Sequence, residues 1–207
     1  SGRVLAGTLT DGRLDVTDIH RFKHEARRRQ DGTLTWDVAT MEAETIIGLK
    51  KALEQFPDAC SVSIDTWGVD WAPLDENGDL VGDVIAYRDE RTSRTLDAFR
   101  ERIGDREFFD LTGNQPATIN TANQLFAYLQ ENPADAQRVA GVLFLPDYFV
   151  YRLTGAVGWS RTIASTSGLL TPGGGDFNDE VFARLDIPRG WFGELSADRT
   201  VVGPCTV

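Results

Sequence analysis

Basic residues are in short supply: 21 lysines and arginines face 32 aspartates and glutamates, leaving a formal charge of −11 over 207 residues. Phosphate backbones and anionic membrane surfaces are bound by clustered cations that release counterions, so neither nucleic acid nor a membrane is an expected partner. The one basic run, Arg27-Arg28-Arg29, reads as a solvated loop face. Cysteine is almost absent. Cys60 and Cys205 have no CxxC spacing and no clustered histidines, which excludes a zinc ribbon or a disulfide framework and leaves reduced thiols as the default. No apolar run approaches the roughly 18 residues of a membrane span, and Ser1-Gly2-Arg3-Val4 lacks a signal peptide's pattern. The expectation is a soluble, cytoplasmic protein.

Common catalytic signatures are missing as well. There is no G-x-x-x-x-G-K-[ST] loop, and Gly48-Leu49-Lys50-Lys51 lies inside a helical pattern. No G-x-S-x-G elbow occurs. The only histidines, His20 and His24, share a strand with Arg21, Phe22 and Lys23 and read as surface or edge residues rather than as parts of a triad. No set of metal ligands suggests itself.

What is present is ordinary globular composition, 41% apolar and 26% charged. Residues 3–9 and 13–24 flank Asp11-Gly12, a strong two-residue hairpin turn, and Thr33-Leu34-Thr35-Trp36 adds a third short strand. From about Thr40 the pattern turns helical, with Ile46, Leu49, Leu53 and Phe56 at spacings of three and four and Pro57 as the stop. A strand is expected at Ser61–Asp65, a turn over Leu74–Leu80, and another strand over Val81–Tyr87. Helices follow at Thr92–Ile103, Arg106–Leu111, Asn123–Glu131, Pro133–Val139 and Asp147–Leu153, closed by Thr154-Gly155. A loop-rich tail runs from Thr171 to Val207. Together these elements predict an α/β fold: a mixed sheet with antiparallel opening strands and packed helices, in a single unit without internal repeats.

Ile64-Asp65-Thr66-Trp67-Gly68-Val69-Asp70-Trp71 breaks the pattern of a buried strand, which favours unbroken Val, Ile and Leu. With a period of two, Thr66, Gly68 and Asp70 share one face while Trp67, Val69 and Trp71 share the other. A glycine between a hydroxyl and a carboxylate admits a polyhydroxy ligand close to the backbone. The plainer alternative is a β-bulge with a surface aspartate. Tyr87-Arg88-Asp89-Glu90-Arg91-Thr92 follows a strand, where Asp89 or Glu90 would serve as a helix cap, though a cap leaves the paired arginines unexplained. Asp147, in Leu145-Pro146-Asp147-Tyr148-Phe149, also reads as a cap.

In this order, these segments resemble the FGGY family of carbohydrate kinases, and within it the L-rhamnulose kinase branch. The residues that carry the likeness are His20-Arg21-Phe22, Thr35-Trp36-Asp37, Ile64 to Asp70, Tyr87-Arg88-Asp89-x-Arg91-Thr92, Leu145 to Phe149 and Arg152-Leu153-Thr154-Gly155. The resemblance implies a ribonuclease-H-like, actin-like ATPase domain that binds a small ketose, with ATP and Mg2+ as cofactors of the intact kinase. It implies γ-phosphoryl transfer to the 1-hydroxyl of L-rhamnulose, with L-fuculose as an alternative acceptor. By the same resemblance Gly68 contacts substrate, with Thr66, Trp67, Asp70, Arg88 and Asp89 around it.

The family's phosphate loop is matched only by Ser1-Gly2-Arg3, and its general-base aspartate is expected beyond Val207, so no catalytic residue is assigned within the chain. The expectation is residues 1–207 as an N-terminal sugar-binding domain, truncated at its start and lacking a C-terminal nucleotide-binding domain. Such a chain would be inactive alone, because phosphoryl transfer rests on positioning, metal and a base. A stand-alone sugar-binding module without catalysis is the reading from a different class.

Overall fold

The structure, a computed structural model, describes residues 1–197 and 199–206; Asp198 and Val207, both within the expected tail, lie outside the described residues. The opening hairpin forms as the sequence predicts. Strands β1 (Gly2–Thr10) and β2 (Arg13–Phe22) pair antiparallel, and both turn residues, Asp11 and Gly12, have the positive φ that a tight primed turn needs. Strands β3 (Arg27–Arg28) and β4 (Leu34–Trp36) pair next, and Asp37 then caps helix α1 (Val38–Gln55) by accepting from the Thr40 backbone N–H at 3.0 Å.

Helix α1 buries a different face from the one its apolar spacing predicts. Val38, Met41 and Gly48 are buried, Ile46 and Leu49 are half-buried, and Leu53 is exposed. The cause is Val4, whose side chain stands where a Cβ on Gly48 would be. The hairpin therefore crosses α1 at its one residue without a side chain.

A larger departure follows. The strand expected at Ser61–Asp65 does not form, and residues 59–67 run without a ladder partner. The ladder begins later, at β5 (Trp71–Leu74), while β6 (Val84–Ile85) joins β4 and replaces the longer strand expected over Val81–Tyr87. Helices α2 (Arg91–Arg94) and α3 (Leu96–Arg102) are separated at Thr95, whose hydroxyl bonds back to the Arg91 carbonyl. Then come α4 (Asp105–Thr112), α5 (Thr121–Glu131) and α6 (Pro133–Ala136). Strand β7 (Gly141–Phe144) pairs antiparallel with β5 and leads directly into α7 (Leu145–Thr154), which ends on Gly155 at φ 72°.

The tail is more ordered than its composition suggests. It carries α9 (Asp179–Arg184) and β9 (Leu195–Ser196), and β9 runs parallel to β8 (Trp159–Ser160), which with α8 (Arg161–Ala164) lies between Gly155 and the tail. Among the described residues the strands thus form four small sheets, not one continuous sheet. Two apolar clusters flank them. One gathers Phe99, Phe108, Leu125, Phe126, Phe144 and Phe182 around the helices, and the other gathers Val38, Met41, Ala72, Leu143 and Tyr148 behind β5 and β7.

Helix propensity and packing make opposite forecasts at Gly48. Propensity favours alanine by roughly 1 kcal/mol, whereas overpacking against Val4 costs on the order of 1–3 kcal/mol. We expect Gly48→Ala to lower stability in urea unfolding; a raised midpoint would show that the hairpin is not seated on α1 in this way.

Candidate functional site

The site is built on a backbone corner between the unpaired stretch 59–67 and β5. Val69 has φ 71°, a left-handed conformation that β-branched residues avoid and that costs on the order of 1–3 kcal/mol. Three hydrogen bonds from distant segments impose it. The Val69 N–H donates to Thr166 Oγ1 at 3.2 Å, and its carbonyl accepts from Thr121 Oγ1 at 2.8 Å and Gln124 Nε2 at 3.0 Å. Strict alternation along Thr66–Trp71 is therefore lost, and with it the shared face of Thr66, Gly68 and Asp70.

Gly68 lies against the chain itself. A Cβ there would come within 2.9 Å of Thr166 Oγ1, so the glycine is what lets the turn after α8 close onto this corner. Thr66 is half-buried and its hydroxyl donates to the Trp67 carbonyl at 2.9 Å.

Asp70 turns inward and is fully buried. Its Oδ2 accepts from the indole N–H groups of both Trp36 and Trp67, each at 2.6 Å, while Oδ1 has no hydrogen-bond partner. The two indoles lie 4.6 Å apart, and His24 stacks on Trp67 at 5.2 Å and meets Trp36 edge-on at 5.8 Å. Burial pushes the Asp70 carboxyl up to about 6, against the opposing pull of the two indoles and of the Arg91 charge. The alternative of a surface aspartate on a bulge is overturned, as is the expectation of an open wall face for this side chain.

The arginine left unexplained by capping now has a place. Arg91, about 1% exposed, donates from Nη2 to Gln124 Oε1 at 2.7 Å and from Nη1 to the Ala86 carbonyl at 3.2 Å. Burial lowers its guanidinium to about 10, offset in part by the Asp89 and Asp70 charges. Asp89 is buried as well. It accepts from the backbone N–H groups of Leu34 at 2.8 Å and Arg91 at 2.9 Å, so it ties β4 to the start of α2. Arg88 alone of this segment's charged side chains in the expected set faces solvent, with its guanidinium over the Tyr87 ring.

Of the residues that the sequence singles out, then, the structure joins Trp67 to Asp70, places Asp89 in a second buried set with Arg91 and Gln124, presses Gly68 against Thr166, and leaves Arg88 outside. Sequence reasoning missed Trp36, Thr121, Gln124, Thr166 and His24 as members. One signal was available: an indole N–H taken from water needs an acceptor, and Asp70 stands three residues after Trp67.

Asp147 is also more than a cap. It sits in the first turn of α7, accepts from the Ser160 N–H at 3.1 Å, and is pushed up to about 7 by burial. Ser160 opens the segment that ends at Thr166, so α7 is linked to the Val69 corner through that turn.

Ser1, Gly2 and Arg3 form no phosphate cradle. Gly2 and Arg3 are strand residues of β1 paired to Phe22 and Arg21, and the Phe22 ring fills the space beside Gly2. Among the described residues no three acidic, histidine or cysteine side chains gather as a metal-ligand set, and no helix is long and apolar enough to cross a membrane. The residues present therefore do not fit a nucleotide-phosphate or magnesium site by themselves.

The corner thus lies between β4, β5 and α5 of a mixed α/β architecture. Residues 6–207 match the model of the N-terminal domain of the FGGY family of carbohydrate kinases, and the chain belongs to that family. Its ribonuclease-H-like, actin-like fold class is the one that the sequence predicts. Three solved structures share the fold. A xyloylose kinase from Brucella ovis has a TM-score of 0.82 at 18% identity, over 99% of this chain and 42% of its own. A xylulose kinase from Rhodospirillum rubrum has 0.74 at 20%, over 94% and 40%. Glycerol kinase from Plasmodium falciparum has 0.72 at 13%, again over 94% and 40%. The chain spans about two fifths of the length of these structures.

Two outcomes follow from the site. Gln124→Ala leaves Arg91 Nη2 without an acceptor and takes one of two donors from the Val69 carbonyl, and should cost on the order of 1–3 kcal/mol in urea unfolding; a loss below about 0.5 kcal/mol would show that the brace is slack. Asp147 loses its proton near pH 4 unfolded and near 7 folded, so folding stability falls as pH rises between these values. Asp147→Asn, which keeps an acceptor for Ser160, should therefore raise Tm at pH 8 by at least about 2 °C more than at pH 5. An equal effect at both pH values would remove the titration from the account.

Proposed function

We propose that this chain is the sugar-binding part of an ATP-dependent ketose kinase, with L-rhamnulose as its acceptor and the 1-hydroxyl as the point of phosphorylation. The observation that carries the reading is that the two segments most diagnostic in the sequence, Asp65 to Asp70 and Tyr87 to Thr92, are locked together by a buried chain of hydrogen bonds from the Val69 carbonyl through Gln124 to Arg91 and Asp89. Family membership supports sugar phosphorylation as the reaction class.

In this reading a polyhydroxy ligand lies against the backbone at Gly68 on the side away from Thr166, with Thr66 and the solvent-facing Arg88 as the flanking polar groups. Asp70 and Asp89 act from behind: both are buried and hold the corner instead of touching sugar. ATP with Mg2+ would supply the transferred phosphoryl group and neutralise its charge. This chain's own residues contribute binding and orientation, while the general base and the nucleotide site are proposed to lie outside residues 1–207. A location in the cytoplasm goes with this reading.

The test is ADP release by the full-length gene product with L-rhamnulose, L-fuculose, xylulose and glycerol as acceptors. The expected order puts L-rhamnulose first in kcat/KM. A preference for L-fuculose would move the assignment to a sister ketose, and a preference for xylulose or glycerol would sink it. The 207-residue chain alone is expected to release no ADP above background; turnover comparable to the full-length protein would overturn the division of labour.

A further inference from the structure

Asp70 is the one carboxylate in this network with an oxygen left over. It is fully buried, it gathers two indole N–H groups on Oδ2 at 2.6 Å each, and its Oδ1 meets no donor. The two indoles come from different places: Trp36 ends β4, and Trp67 lies in the unpaired stretch beside Gly68. Because residues 59–67 have no ladder hydrogen bonds, the Trp67 indole is one of few attachments of this stretch to the body of the protein. A carboxylate that accepts charge-assisted bonds holds them roughly twice as strongly as a neutral acid does.

We propose that Asp70 is a positioning residue for the Gly68–Val69 corner, its carboxylate drawing the Trp36 and Trp67 indoles onto one oxygen, so that protonation of this carboxyl slackens the corner and weakens sugar binding. The sugar-binding clause rests on the ketose-kinase reading above; the clamp itself does not.

The charged and titratable groups around Asp70 are few. Arg91 of α2 and its partner Asp89 lie on one side, and His24 stacks on the indoles on the other. The Tyr87 backbone N–H adds a weak pull towards the charged form. Burial dominates, so the proton returns at about 6, and His24, itself lowered by burial, is the one neighbour whose titration could imitate the effect. Protonation also carries an unusual pairing of signs. A carboxyl raised from 3.8 to about 6 destabilises the fold as pH rises between those values, so protonation of this one group adds to folding stability while it loosens the corner.

The experiment follows the indole N–H resonances of Trp36 and Trp67 and the backbone amide of Gly68 by NMR in the full-length protein between about pH 5 and 8, the range in which a carboxyl raised by burial gives up its proton. Trp36→Phe and Trp67→Phe supply the indole assignments. All three signals should move together with a midpoint near 6, in the wild type and in His24→Phe, and should stay still in Asp70→Asn. Affinity for L-rhamnulose by calorimetry should fall about threefold or more from pH 7.5 to 5.5 in step with them, and stay flat in Asp70→Asn. Indoles that do not titrate overturn the proposal, as does a transition lost in His24→Phe, or a Gly68 amide that stays fixed while the indoles move. The wild-type and His24→Phe titrations decide these points even if Asp70→Asn fails to fold. If the three signals titrate together and no ketose binds at any pH, the clamp stands and the substrate reading fails.

Discussion

The local structure of this domain turns on one backbone conformation, that of Val69. An isolated chain would not place a β-branched residue at φ 71°, and the native structure does so only because Thr166, Thr121 and Gln124 supply hydrogen bonds that an extended conformation would forgo. Much of the surrounding architecture serves those three side chains. Arg91 fixes the Gln124 amide, Asp89 fixes the start of the Arg91 helix against β4, and Asp147 fixes the segment that delivers Thr166. Remove the strain and this arrangement of buried polar groups has no evident purpose.

The elements written in short range were legible in the sequence. Asp11-Gly12 specifies a primed turn, Pro57 bounds α1, and Gly155 closes α7, because each depends on the φ preference of one or two residues. Family resemblance rested on the same kind of local signal. What the sequence hid were features decided by partners far along the chain. Alternation over Thr66–Asp70 assumed a regular strand, and a single left-handed residue set by Thr166, 97 positions away, cancels it. The apolar stripe of α1 implied burial of Leu53, but the hairpin chose Gly48 because only there can Val4 approach. Asp70 and Asp89 looked like ligand groups since carboxylates are normally found outside. Their burial became visible only with the donors that satisfy them.

The placement of charge separates two kinds of acidic residue in a chain that is acidic throughout. Many carboxylates sit at the surface, a number of them in exposed pairs such as Arg100 with Asp105, and such pairs add little to stability. Asp70 and Asp147 are different. Both are buried, both are raised by that burial, and both grip a segment that borders Gly68. The domain thus keeps its expensive charges at the joints of its candidate binding corner, where they secure geometry at the expense of overall stability.

The 97-residue span of the Thr166 to Val69 hydrogen bond also bears on how the domain comes into being. During synthesis at about 5–20 residues per second, Val69 is joined to the chain roughly 5–20 s before Thr166 is. Through that interval nothing bonds its N–H from that side, and the corner relaxes towards the extended form that valine prefers. The hairpin and its seat on α1, Val4 against Gly48, can form long before, since both lie within the first 56 residues; the cluster partners of Val38 and Met41, among them Leu143 and Tyr148, arrive later. The nascent protein therefore acquires its scaffold early and its binding corner last, and a ribosome that stalls short of residue 166 releases a chain with the diagnostic motif present and its geometry absent.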